Sequence, residues 1–318
     1  MDRTDPVIAE VTRGAVVESV HRGRVVALDA NGAIVRRIGD VDQPVLLRSC
    51  AKPLQAVGMV RAGLDLDGQQ LTIACASHDG TAAHLAIVRE VLAGAGLDEG
   101  DLGNAALLPL EPRASAERLL AGGPDRISHN CSGKHAAMLA TCVTNGWPIA
   151  DYLSPEHPLQ LALLDAVADL AGEPVADVEV DGCGAPVAAV SLPGLARAFA
   201  RLATADAGSA EGRVAAAMRD HPDVLGGERR EVTRLERAVP GLVAKDGAEG
   251  CYAAAAPDGR AVALKVADGA MRACVPVLVA ALRGLGVHGP GLDGLAEVPV
   301  LGHGRPVGAV RAVRANVR

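Results

Sequence analysis

The sequence predicts an α/β protein in which one antiparallel sheet is assembled from both chain ends, with a helix-rich lobe inserted between them. Three observations predict it. Strand patterning concentrates in residues 7–40 and returns past residue 240; the stretch between reads as successive helices; and no internal repeat, low-complexity tract or long linker divides the chain. The expected organisation is a single domain over 1–318, with a sheet lobe of about 1–48 and 240–318 and a helix-rich lobe of about 49–239.

Each element rests on a local signal. Val16–Val20 and Val25–Leu28 are apolar, β-branched runs flanking His21-Arg22-Gly23, and Asn31-Gly32 is a hairpin turn signal before Ile34 and Val35. A helix is expected from near Ser49 to about Ala62, because Pro53 is tolerated in a first turn whose N–H groups have no intrahelical acceptor. Leu71–Ala76 is a short apolar segment leading to Ser77, and Thr81–Ala95 is helical. Lys134–Thr144 ends at Asn145-Gly146, a helix stop with Pro148 beyond. Ser154-Pro155 opens a helix to about Ala171, and Leu195–Ala203 and Glu211–Asp220 read as two more. Tyr252–Ala256 and Ala261–Val266 surround the turn signal Pro257-Asp258-Gly259. A helix over about Gly269 to Gly284 and strands at Val298–Leu301 and Val307–Val313 close the chain.

Composition narrows the function classes. Hydrophobic residues make up 49% and charged residues 22% of 318, an ordinary globular balance, yet only Phe199, Trp147, Tyr152 and Tyr252 are aromatic. Ala, Val and Leu must therefore fill the core. The formal charge is −7, and there is neither the basic patch nor the stacking aromatics that a nucleic-acid partner wants. No apolar run reaches the roughly 18 residues of a membrane span. Ala15–Val20 is interrupted by Glu18 and reads as a strand rather than a signal peptide, so a cytoplasmic location is expected. The seven cysteines are odd in number and lack a CxxC pair, which favours thiols or metal ligands over disulfides.

One count is sharper. Of 31 basic residues only Lys52, Lys134, Lys245 and Lys265 are lysines. Arginine serves wherever a generic positive charge suffices. A surviving lysine is a candidate for work that needs a neutral amine, which arginine cannot become.

Five motifs hold chemistry-bearing residues. In Arg48-Ser49-Cys50-Ala51-Lys52-Pro53, Ser49 and Lys52 share a helical face, and a buried amine can take a serine proton. The spacing alone fits equally a capped helix with Lys52 in solvent. Cys75-Ala76-Ser77-His78-Asp79-Gly80 follows an apolar segment; Ser77 suits a proton relay and His78 a base, and a plain Asp-Gly turn is the alternative. His129-Asn130-Cys131-Ser132-Gly133-Lys134-His135 fails the phosphate-loop pattern but places Cys131 and Lys134 three apart at a helix start. Asp181-Gly182-Cys183-Gly184-Ala185-Pro186 is a shaped backbone around a thiol, and a Cys131–Cys183 pair would suit zinc if the fold joined them. Lys245-Asp246-Gly247-Ala248 resembles the Lys-Thr-Gly strand of penicillin-recognising enzymes, with the N–H groups of Ser49 and Ala248 as oxyanion donors, or else a turn leading into a strand.

Together these stretches resemble the rhizobial-type (class 3, asparaginase II family) L-asparaginases. The matching segments are Arg48–Gln55, Cys75–Gly80, His129–Leu139, Asp181–Val187 and Lys245–Gly250, with His157-Pro158-Leu159-Gln160, spanning about residues 7 to 318 with their flanks. The resemblance implies a serine β-lactamase-like fold and hydrolysis of L-asparagine to L-aspartate and ammonia. It implies two Ser–Lys pairs, Ser49 with Lys52 and Ser77 with Lys245, Lys265 being the rival for the second. It implies one zinc ion per chain held by Cys131, Lys134 and Cys183, and a homodimer. Substrate contacts are expected from Arg48, His78, Asp181, Ala248 and Arg230. The sequence departs from the family pattern after His78, where Asp79-Gly80-Thr81 replaces the usual Ser-Gly-Glu, and at Val232, where an aspartate is usual. Rival readings are a glutaminase or other small-amide hydrolase, a penicillin-interacting enzyme, and a non-catalytic binding protein on the same fold.

Overall fold

The computed structural model describes residues 5–313 and residue 317. Among these, eleven strands form: β1 Val7–Arg13, β2 Val16–Leu28, β3 Ile34–Ile38, β4 Val45–Leu46, β5 Asp177–Val180, β6 Pro186–Val190, β7 Val243–Gly247, β8 Cys251–Ala255, β9 Ala261–Val266, β10 Glu297–Gly302 and β11 Arg305–Ala312. The α-helices are α1 Lys52–Arg61, α2 Gly68–Cys75, α3 Ala82–Gly94, α4 Pro112–Leu120, α5 Ser132–Asn145, α6 Pro158–Ala171, α7 Leu192–Thr204, α8 Ala210–Asp220, α9 Pro222–Leu225, α10 Glu231–Ala238 and α11 Cys274–Gly284.

The main sheet runs in the order β10-β11-β1-β2-β9-β8-β7, with β3 also paired to β2, and its pairs are antiparallel. Every strand in it comes from one end of the chain or the other, as the patterning predicts. Helix α7 covers β2, β8 and β9, and α11 packs against β8, β9, β1 and β11. A strand buried on both faces needs small side chains where helices approach, and Ala253, Ala254, Ala255, Ala261 and Ala263 supply them, all fully buried. That is where the alanine-rich composition is used.

Two expectations shift, and one segment left without an element takes one. The two runs on either side of His21-Arg22-Gly23 are one 13-residue strand, β2. Gly23 marks a close backbone approach rather than a turn, since a Cβ there would sit 2.4 Å from the Lys265 carbonyl oxygen of β9. The segment before Ser77 is helical (α2). Helix α6 opens at Pro158 instead of Ser154, because the His157 ring accepts from the Leu159 N–H and caps the first turn. The inserted lobe also carries a small sheet, β4-β6-β5, whose β5–β6 hairpin turn is the Asp181–Ala185 stretch. No helix among the described residues is long and apolar enough to cross a membrane.

Candidate active site

Ser49 lies in a short 3₁₀ turn, Arg48–Ala51, that runs straight into α1. This turn packs on β7 and β8. Gly247, the last residue of β7, makes the approach possible: a Cβ there would meet the Leu47 carbonyl oxygen at 2.9 Å and Cys50 Sγ at 3.1 Å. Arg48 enters the turn with φ 50°, a left-handed conformation that costs a non-glycine residue about 1–2 kcal/mol. Its Nε donates to Asp181 Oδ1 at 2.7 Å, so two predicted substrate-contacting residues hold each other beside Ser49.

Ser77 follows α2 in an extended segment whose backbone is held from two sides. The Ser77 and Asp79 N–H groups donate to the carbonyls of Leu225 and Gly226, and His78 N–H donates to that of Asn130. Two lysine amines converge on the Ser77 hydroxyl. Lys52 Nζ and Lys245 Nζ each lie 3.0 Å from Ser77 Oγ, and Lys52 also donates to the Ala76 carbonyl at 2.6 Å. Lys52 is 1% exposed and Lys245 is fully buried. Burial pushes the Lys52 amine down; the Cys131 thiolate opposes this, and the charges of Lys245 and Lys134 add to it. Lys265 points elsewhere, donating to the carbonyls of Glu249 and Val266. Ser49 Oγ makes no hydrogen bond with another described residue, and its residue is only partly buried, which leaves it open to an incoming group.

His78 turns away from Ser77. Ser132 Oγ donates to the Ile127 carbonyl at 2.7 Å, so at 3.0 Å it accepts from His78 Nε2, which leaves Nδ1 as an unpartnered acceptor. Burial, with His84, Lys52 and His129 nearby, holds the ring well below the ordinary histidine range and therefore neutral. Arg230 is bound at both ends: Nη2 donates to Asp246 Oδ2 at 3.0 Å and Nη1 stands 3.9 Å from Asp79 Oδ1. Ala248 sits exposed in the turn after β7.

The β5–β6 turn reaches the head of α5. Lys134 Nζ donates to Cys183 Sγ at 3.2 Å, and Asp181 Oδ2 lies 3.9 Å from the same sulfur. Cys183, assisted by Lys52 and Lys134, pulls the Cys131 thiol well down despite its burial. Burial pushes Lys134 down, but Cys183, Cys131 and Asp181 more than offset this and hold the ammonium. Two soft sulfurs suit zinc, and Lys134 would complete a three-ligand set with one position open once its ammonium gave up its proton to the metal's competition. The described residues contain no group of three or more His, Cys, Asp or Glu side chains placed to hold a metal.

Comparison with known proteins decides the family. The model of the L-asparaginase II family matches residues 9–312. The chain belongs to the L-asparaginase II family. Membership places it among amidohydrolases that act on small molecules. No curated protein matches it. Among solved structures, it is similar to a β-lactamase from Mycobacterium bovis (16% identity, 78% of this chain and 88% of that one, TM-score 0.44). It is also similar to EstCE1, a hydrolase with promiscuous acyltransferase activity (13% identity, 77% and 88%, TM-score 0.42).

One group in this asparaginase-family site escaped the sequence reading. Asp246 contacts Lys245 through its carboxylate and Arg230 on its other oxygen. Asp246 lies inside a motif already singled out, where its pairing with Gly247 reads as turn chemistry.

Proposed function

We propose that this asparaginase-family chain hydrolyses L-asparagine to L-aspartate and ammonia, with Ser49 as nucleophile and Lys52 as its base. The observation that supports it most is the convergence of two buried lysine amines on Ser77 beside the head of α1. Lys52 takes the Ser49 proton as Oγ attacks the side-chain amide carbon. The N–H groups of Ser49 and Ala248 receive the oxyanion. Ser77 hands a proton to the departing nitrogen and Lys245 replaces it. In the second half the water proton returns through Ser77 to Lys245, hydroxide attacks the ester, and Lys52 gives its proton back to Ser49. Arg48 and Asp181 orient the substrate's α-carboxylate and amine. Zinc on Cys131, Lys134 and Cys183 would supply a fixed positive centre that anchors substrate. The homodimer and the cytoplasmic location belong to the same reading; seven free thiols suit a reducing compartment.

A second reading makes Ser77 the nucleophile, because it already touches both amines. Its 4% exposure favours the more open Ser49. The test is ammonia release from asparagine and, in parallel, glutamine, with mass-spectrometric mapping of the acylated serine. Ser49→Ala is expected to lose roughly 10³-fold or more in kcat. Full activity in that variant, or acyl label on Ser77, would overturn the assignment, and preference for glutamine would move the substrate.

A further inference from the structure

A cavity of about 260 Å³ lies where the start of α10, the β7–β8 pair and the short turn before α11 meet. Asp246 of β7 and Tyr252 of β8, directly paired in the ladder, form one wall. Neither Ser49 nor Ser77 lines it. Its volume is many times the roughly 30 Å³ share of one water in the liquid. It falls just below the about 300–1,000 Å³ of pockets for drug-sized ligands. The space therefore suits a small organic molecule.

Three groups lining this cavity have no partner among the described residues. Tyr252 is fully buried, and its hydroxyl makes no hydrogen bond. A buried hydroxyl left unmade is costly, so its presence calls for a reason. Glu231, half-buried at the first position of α10, makes neither a hydrogen bond nor an ion pair through its carboxylate. Burial, with Asp246 beside it, pushes that carboxyl up, and Arg230 and Arg234 do not undo the shift. Arg229 is exposed and likewise unpaired. No side chain caps the first turn of α10, so its leading N–H groups are open to an anion. The remaining charged pair satisfies itself, since Arg230 Nη2 donates to Asp246 Oδ2 at 3.0 Å.

Charge selects the ligand. A bare cation would meet Arg229 and Arg230, and a bare anion would meet Glu231 and Asp246. A zwitterion answers both signs. We propose that this cavity is a second small-molecule site, which takes a free α-amino acid with an apolar side chain. The α-ammonium donates to the Glu231 carboxylate and to the Tyr252 hydroxyl oxygen. The α-carboxylate accepts from Arg229 and from the N–H groups at the start of α10. Val232 and Met271 supply the rest of the lining and suit an apolar side chain. An aspartate side chain would bring another carboxylate beside Asp246 and Glu231, which disfavours it.

This site does not depend on the asparaginase reading, and isothermal titration calorimetry tests it without turnover. L-Valine and L-methionine at millimolar concentration are expected to bind the parent protein. N-acetyl-L-valine lacks the ammonium, and L-valinamide lacks the carboxylate. Each is expected to bind about tenfold or more weakly than valine, the size of losing a charged hydrogen bond, and L-aspartate likewise. Glu231→Gln and Arg229→Gln are each expected to weaken valine by about tenfold or more, with urea unfolding unchanged. Ser49→Ala is expected to bind valine as the parent does. No heat from valine or methionine overturns the site. Equal binding of the blocked amino acids, or of inorganic phosphate or ammonium alone, overturns the zwitterion assignment. Loss of valine binding in Ser49→Ala would put the ligand in the catalytic pocket and overturn the second site. Should either charge variant fail to fold, the blocked amino acids on the parent protein still decide.

Discussion

Lys52, Lys134, Lys245 and Lys265 each end in a specific contact: on Ser77 and the Ala76 carbonyl, on Cys183, on Ser77 and Asp246, and on the carbonyls of Glu249 and Val266. The lysine census therefore had physical content, because a compact amine fits a tight cage of oxygens or sulfurs that a planar guanidinium does not. Its limit is equally instructive, since rarity marks a special contact without saying which one. Lys265 is as rare as the others and binds backbone carbonyls alone. Replacing Lys52 by arginine keeps the charge and removes the possibility of a neutral amine. Steady-state ammonia release from Lys52→Arg is expected to fall about 10²–10⁴-fold, the usual share of acid–base catalysis. A variant within threefold of the parent would show that Lys52 works only as a charge. Asp246 was invisible at this scale because an Asp-Gly pair is the commonest of turn signals, and only the side-chain direction shows that it faces a lysine.

The individual elements were legible where local chemistry decides them. The Asn31-Gly32 and Pro257-Asp258-Gly259 turns, the stop at Gly146 with φ 65°, and the C-terminal ends of α7, α8 and α11 follow from glycine, proline and apolar periodicity, whereas α7 starts at Leu192 rather than Leu195 and α11 at Cys274 rather than near Gly269. Glycines that serve a neighbour were not legible, because their reason lies in another element. Gly23 makes room for β9, and Gly133 lets α5 lie against α2, where a Cβ would stand 2.4 Å from the Ile73 carbonyl oxygen. Gly247 does the same for the turn that carries Ser49. Gly247→Ala is expected to push β7 away from Leu47 and Cys50, destabilising the fold by about 1–3 kcal/mol and cutting kcat more than it raises KM. Urea unfolding and steady-state kinetics together check this. Unchanged kcat with lowered stability would detach β7 from catalysis.

At the scale of the whole molecule, the candidate site is made where five distant stretches meet. The head of α1, the segment after α2 and β7 supply Ser49, Lys52, Ser77 and Lys245, while the head of α5 and the β5–β6 turn supply the thiols. A zinc ion on Cys131, Lys134 and Cys183 would tie α5 to that turn across 49 positions of chain between Lys134 and Cys183. A ligand that binds only the folded state raises its stability. Adding zinc to chelator-treated protein is therefore expected to raise Tm by several degrees, and Cys183→Ala should abolish both the rise and the bound metal. A Tm indifferent to zinc in the parent would rule out the metal centre.

The sheet built from both ends, the inserted helices and the turns were readable along the chain, because periodicity and turn chemistry are local properties, while the candidate site residues came from resemblance to a family. What depended on the tertiary structure was partnership. That Lys245 rather than Lys265 meets Ser77, that Ser77 stands between two amines, that Arg230 is spent on Asp246 and Asp79, and that Lys134 meets Cys183 are long-range contacts. Their free energy is set by burial and distance, and neither quantity exists until the β-strands close the sheet and the helices pack upon it.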